Sequence, residues 1–250
     1  MREIDSSLIS EVVARLCIDA NYHLPPDMKR QIISSSKEES WETASIILDQ
    51  IIENFNIADE NLQPICQDTG LACVFLSIGQ DVHIKGNLEE AVNEGVRKGY
   101  SQGYLRKSKI TVAPKGFGSE NMSQIKMLKP SDGIEGVKDF VIKVVEDAGP
   151  NPCPPIVVGV GIGGTFDKAA YLAKKALMRP VDQRNSEDFY AELEEELLEK
   201  INALGIGPQG FGGKTTALAV NIEKFPTHIA GLPVAVNINC HVTRHMTEEI

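Results

Sequence analysis

Residues 156–160 read IVVGV, apolar at every position. A run that is apolar throughout, rather than alternating, belongs to a strand hidden in a core. NPCPP before it makes a rigid connector, and GIGG after it leads into TFDKAAYLAKKALM, which reads as a helix. Such a unit needs neighbours, a sheet beside the strand and helices against it, and the rest of the chain offers them. Residues 6–20 and 39–54 predict amphipathic helices. LACVFLSI and VHIKG read as paired strands joined through Gly79. Asn87, with Glu90 three residues on, predicts the start of a helix reaching to about Leu105. A loop, KGFGSENM (115–122), precedes a short strand, SQIKML. Residues 134–148 are helical and end at Gly149. An acidic helix over 186–204 ends at Gly205. KTTALAVNIE and HIAGLPVAVNIN close the chain as strands. Strand pairs mixed with strand–helix units predict an α/β (mixed) class: a mixed β-sheet flanked by helices, with a helical N-terminal region over about residues 1–63. Without internal repeats or linkers, residues 1–250 read as a single domain.

Composition narrows the function. The formal net charge of −10 argues against sequence-independent nucleic-acid binding, which needs a basic footprint. No apolar run approaches the roughly 20 residues that span a bilayer, and the N-terminus lacks a signal-peptide core. The expectation is a cytoplasmic protein with no membrane and no nucleic-acid partner. An acidic chain also repels an anionic substrate unless local cations intervene.

Three motifs invite readings that their context does not support. GVGIGG (159–164) fits a dinucleotide fingerprint, but RPVDQRNSED stands where a second strand ending in an acid is needed. GFGGKTT (210–216) resembles a phosphate loop, yet its first glycine position is Pro208 and a helix precedes it. CHVTRH (240–245) brings Cys240, His241 and His245 close together but lacks the second ligand pair of a zinc site.

The five cysteines divide into two kinds. Cys17 and Cys73 lie in apolar patterns and read as small buried hydrophobes. Cys66, Cys153 and Cys240 stand in PICQDTG, PNPCPPI and NINCHVTRH, beside proline or polar residues. They are too far apart in sequence for a local zinc knuckle. They are either inert thiols or three ligands brought together from distant loops. Three thiolates on an iron–sulfur cluster leave one iron open, and an open iron is a Lewis acid.

PICQDTG, the KGFGSEN loop, PCPPIVVGVGIGGTFDKAA, GIGPQGFGGKTTALAV and NINCHVTRH, in that order, resemble the alpha part of the iron–sulfur hydro-lyases, the class I fumarases and L-tartrate dehydratases. The resemblance runs from about residue 8 to residue 245. It implies a [4Fe–4S] cluster held by Cys66, Cys153 and Cys240, and addition or removal of water across a dicarboxylate, fumarate and L-malate foremost. It implies that Gln67 binds a substrate carboxylate, that Asp68 is the acid–base residue at the departing oxygen, and that the backbone at Gly118 approaches the substrate. Read alone, without the resemblance, Asp68 fits better as an Asx-turn acceptor capping its own backbone. Phe117 departs from the family, which often has glycine there.

Two parts of the family pattern have no counterpart. The family carries a longer stretch, with a substrate-clamping arginine, where KSKI (107–110) here meets TVAPKG (111–116). The expectation is that residues are missing between Ile110 and Thr111, with Arg106 and Lys107 as nearby substitutes. The family also has a further domain, or a separate beta subunit, that supplies cations and the base for the C3 proton. The chain is therefore expected to be inactive alone, to pair with a beta subunit, and to homodimerise through the alpha chain. Two alternatives stand beside this reading: a non-catalytic subunit that has lost the cluster, and a zinc module built on CHVTRH.

Overall fold

A computed structural model describes residues 2–103, 105 and 115–250. In chain order the elements are β1 (Arg2–Asp5), α1 (Ser6–Tyr22), α2 (Pro26–Glu38), α3 (Glu42–Asn61), β2 (Val82–Lys85), α4 (Leu88–Gln102) and the single turn α5 (Phe117–Glu120). There follow β3 (Gln124–Leu128), α6 (Gly133–Ala148), β4 (Ile156–Gly163), α7 (Phe166–Ala176), α8 (Asp188–Ala203), β5 (Ala217–Phe225) and β6 (Leu232–Asn239). The mixed α/β class is thereby established. Arg106, Lys107, Ile110 and Thr111 lie outside the described residues. Among the described residues no helix is long and apolar enough to cross a membrane.

The chain divides into two compact units. The first comprises Met1–Pro25, Asn54–Phe117 and Arg244–Ile250; the second comprises Pro26–Glu53 and Gly118–Thr243. In the first unit, α1 and α4 pack side by side. Gly95 and Gly99, four apart, share one face of α4. A Cβ on either would lie 2.6 Å from a backbone oxygen of α1, Ser10 O or Ala14 O. Only glycine permits that approach. Ile9, Val13, Cys17, Val96 and Tyr100 fill the core between the helices. Each helix opens on a side-chain cap: Asp5 accepts from Ser7 N at 2.9 Å, and Asn87 accepts from Glu90 N at 3.1 Å.

Two expectations are corrected here. LACVFLSI is not a strand; among the described residues its one ladder contact is a bridge between Leu71 and Lys115. β2 pairs instead in parallel with β1, Arg2 opposite Val82 through Asp5 opposite Lys85. Apolarity fixed the tendency to leave water but not the pairing partner, and Phe75, Leu76 and Ile78 stay exposed. The N-terminal region also contains an unforeseen helix, α2, and α3 reaches Asn61 rather than ending near residue 54. Pro26 suits the first position of α2, and few apolar residues mark the helix beyond the buried Met28 and Ile32.

The second unit holds a four-stranded sheet in the order β3-β6-β4-β5. β4 and β5 are parallel; β6 is antiparallel to both β4 and β3. Val158 and Val160 of β4 face a core shared with Val141, Val144 and Val145 of α6 and Leu193 and Leu197 of α8. The other face receives α7. A Cβ on Gly159 would lie 2.2 Å from Ala173 O, and one on Gly161 would lie 2.1 Å from Ala169 O. The GVGIGG glycines therefore serve strand–helix packing, with most of the motif inside β4. At the outer edge of β5 the fully buried Glu194 accepts from Ile222 N at 2.8 Å and Asn185 N at 2.9 Å, and pairs with Arg179. Asn185 Nδ2 donates to Ile222 O at 2.8 Å.

Candidate functional site

Strand register gathers several loops of the second unit at one end of its sheet. Asn239, the last residue of β6, sits opposite Val157 of β4, and Ile156 is opposite Ala217 at the start of β5. Antiparallel β3 begins at Gln124, opposite Val236. Cys240 just after β6, Cys153 just before β4, the 207–216 loop before β5 and the 118–123 loop before β3 thus leave the sheet together. Hydrogen bonds join them. His241 Nδ1 lies 3.0 Å from Cys153 O. Gln209 donates to Pro154 O through both its backbone N–H and its Nε2, each at 2.8 Å. Asn237 Nδ2 donates to Glu120 Oε2 and Ser123 Oγ, both at 3.0 Å, and Lys174 Nζ reaches Glu120 Oε1 at 2.5 Å.

Cys153 is exposed and Cys240 half-buried at this end. Cys153 adopts a left-handed backbone, φ 55°, uncommon for a residue with a Cβ. Gly118 is exposed, and a Cβ there would find only Asn151 O, 3.9 Å away, among its nearest atoms. Packing does not require glycine at 118, which leaves room for a ligand to approach its backbone.

The first unit builds the other motif. Cys66 and Asp68 are half-buried and Gln67 is exposed. The Asp68 N–H donates to Cys66 Sγ at 3.4 Å. Asp68 Oδ1 accepts from Gly70 N at 3.0 Å and Oδ2 from Phe117 N at 3.0 Å. The Asx-turn is therefore present, and the carboxylate is held at both oxygens. The turn is gripped from outside too. The buried Arg244 donates to Asp68 O at 2.6 Å, and Tyr100 Oη donates to Thr69 O at 3.0 Å. A Cβ at Gly70 would lie 2.5 Å from Lys115 O, so the strand bridge passes directly over this glycine. Burial, foremost, pushes the Tyr100 phenol well above its ordinary range and keeps it a donor.

The second unit thus brings together Cys153, Cys240 and Gly118, and the first brings together Cys66, Gln67 and Asp68. Among the described residues, no group of three or more His, Cys, Asp or Glu side chains is gathered so as to hold a metal ion. The donor chemistry nevertheless fits an iron–sulfur group. Cys153 is open to solvent, and Cys66 receives a backbone N–H at sulfur, the type of contact that tunes thiolate-bound clusters. Cys17 contrasts with them: fully buried, its thiol is pushed up to about 12 by desolvation. Sequence reasoning passed over Gln209, Arg244 and Tyr100. The available signals were a non-glycine residue inside the glycine-rich PQGFGG and a cation four residues after Cys240.

The second unit is a mixed sheet flanked by helices, with the Cys153 and Cys240 loops at one end of it. The chain belongs to the fumarate hydratase (Fumerase) family, whose model matches residues 10–110 and 107–249. A Methanocaldococcus jannaschii protein provisionally named L(+)-tartrate dehydratase subunit alpha is 43% identical over 277 positions, covering 97% of each chain. The Escherichia coli K12 protein named L(+)-tartrate dehydratase subunit alpha is 29% identical, covering 96% of this chain and 89% of its own. A Shigella boydii protein of that name matches equally. The two matched segments overlap at residues 107–110.

Proposed function

We propose that this chain is the alpha subunit of a [4Fe–4S]-dependent hydro-lyase, a cytoplasmic enzyme acting with a separate beta subunit on a four-carbon dicarboxylate. The reaction is the reversible hydration of fumarate to L-malate, after the family's description. L(+)-tartrate is the second reading, favoured by the relatives' names. The observation that carries the proposal is the common sheet end from which Cys153, Cys240 and the Gly118 loop emerge, within a chain matched by the family model over nearly its whole length.

Cys66, Cys153 and Cys240 hold the cluster in this proposal. When bound, such a group supplies Lewis-acid withdrawal of electrons from the C–O bond that breaks. The protein's own groups do the rest. The exposed Gln67 amide donates to a substrate carboxylate. Asp68, fixed at both oxygens, is the acid–base residue that protonates or orients the departing oxygen. The open backbone at Gly118 seats the substrate. Arg244 and Tyr100 keep the Cys66–Gly70 turn in one conformation. The beta subunit supplies the cations that an acidic chain needs for a dianion, together with the base for the C3 proton. Homodimerisation runs through the alpha chain.

Anaerobic reconstitution with iron and sulfide tests this directly. Wild-type chain is expected to bind close to a full cluster, and Cys66→Ser, Cys153→Ser and Cys240→Ser each to lose most of the bound iron. Turnover on malate, fumarate and tartrate is then measured with and without the beta subunit. A colourless wild-type chain, or one that hydrates fumarate at full rate alone, sinks the proposal.

A further inference from the structure

We propose that Gln209 is a positioning residue that sets how Cys153 presents its thiol, a role that rests on the cluster reading above. Two residues with side chains, Cys153 (φ 55°) and Gln209 (φ 52°), adopt left-handed backbone on facing loops. Each such conformation is disfavoured for a residue with a Cβ and persists only where its surroundings over-determine it.

Here each supports the other. Both donors of Gln209 converge on one acceptor, Pro154 O, at 2.8 Å. A carbonyl oxygen has two lone pairs, so this single residue satisfies it. On the other side of the proline, His241 Nδ1, in the tautomer that carries its proton there, donates to Cys153 O at 3.0 Å, and Gln209 Nε2, 3.3 Å from that nitrogen, then packs against the ring without bonding to it. The Cys153 N–H donates to Pro150 O at 3.0 Å. The peptide groups on both sides of Cys153, and the next one, are therefore held, which fixes the direction of its Cα–Cβ bond.

The loop that delivers Gln209 is rigid for its own reasons. A Cβ on Gly207 would lie 1.7 Å from Gly212 O, and one on Gly210 would lie 2.4 Å from Pro150 Cβ. The glycines thus close the loop on itself and wedge it against the proline that opens the Cys153 turn. The PQGFGG stretch, which overlaps the phosphate-loop look-alike GFGGKTT, is here a buttress for a cysteine.

The test uses full-length Gln209→Met, which keeps bulk and removes the amide, and Gln209→Gly, which keeps left-handed backbone and its N–H. Hydrogen exchange is followed by mass spectrometry on residues 150–156, whose exchangeable backbone amides belong to Asn151, Cys153 and Ile156, with residues 232–239 as internal control. Iron retained after anaerobic reconstitution is the second readout. Both variants are expected to raise exchange in 150–156 at least five-fold, leave 232–239 protected, and retain less than half the wild-type iron. If Gln209→Met loses protection in 232–239, its fold has failed and Gln209→Gly decides. Unchanged exchange, or raised exchange with wild-type iron, overturns the positioning role. A wild-type chain that takes up no iron instead overturns the cluster reading, and the assignment of Gln209 falls with it.

Discussion

Glu39 offers the sharpest energetic test. Its Oε2 accepts from Lys214 N at 2.9 Å, Thr215 N at 3.3 Å and Thr215 Oγ1 at 3.3 Å; its Oε1 accepts from Ser40 N at 3.0 Å and Trp41 N at 3.1 Å. The carboxylate thus occupies the nest of N–H groups that a phosphate would fill in a nucleotide-binding loop. Burial raises its pKa, but the N–H donors of Trp41, Lys214, Ser40 and Thr215 outweigh that and hold it below the usual glutamate range. Glu39→Ala removes one charged acceptor and leaves the loop donors Lys214 and Thr215 to water. Hydrogen bonds to a charged group contribute about 1.5–3 kcal/mol each when shielded. Glu39 is only half-buried, so we expect a total loss of about 2 kcal/mol. For a chain of this size that lowers Tm by roughly 4–8 °C. The pH dependence has a fixed sign. With its folded pKa depressed, Glu39 contributes fully above its unfolded value of 4.5 and loses that contribution as pH falls through the folded value. Thermal melts of wild type and Glu39→Ala should therefore differ most near neutrality and converge below pH 4.5. A gap that is absent at pH 7, or that widens in acid, refutes the reasoning.

Three more outcomes follow from the packing. Gly161→Ala drives a methyl group against Ala169 O and should destabilise the chain by about 1–3 kcal/mol, read in urea melts. Tyr100→Phe removes the hydrogen bond to Thr69 O; about 1 kcal/mol is expected, with faster amide exchange at Gly70 and Leu71. Cys17, its thiol pushed up to about 12, should resist iodoacetamide at pH 8 in the native chain while the exposed Cys153 reacts. Equal labelling of the two contradicts the burial argument.

The second unit was largely legible in the sequence. IVVGV, the acidic helix and the closing strands each carry one clear period, and all appear near their expected positions. The N-terminal region was harder. β1 is four residues long and merges into the α1 pattern, and α2 shows little beyond two buried apolar residues. LACVFLSI misled because strand pairing depends on a partner far away in sequence. At the candidate site, the cysteine motifs stood out through their polar and proline neighbours. The residues that hold them did not. Gln209 and Arg244 act by donating to backbone carbonyls, Pro154 O and Asp68 O. Such a contact leaves no mark on the spacing of either residue, since any carbonyl accepts a hydrogen bond.

The sheet of the second unit ends in a seal. At Ile222 the outward N–H and C=O of β5 are both taken, by Glu194 and Asn185. An incoming strand would have to displace a buried carboxylate together with its arginine, so this margin is closed to strand addition. Recruitment of another chain by lengthening the sheet at that point is thereby blocked. The closure is double-locked: Glu194→Ala would free the Ile222 N–H, while Ile222 O would keep its donors from Asn185 and Arg179.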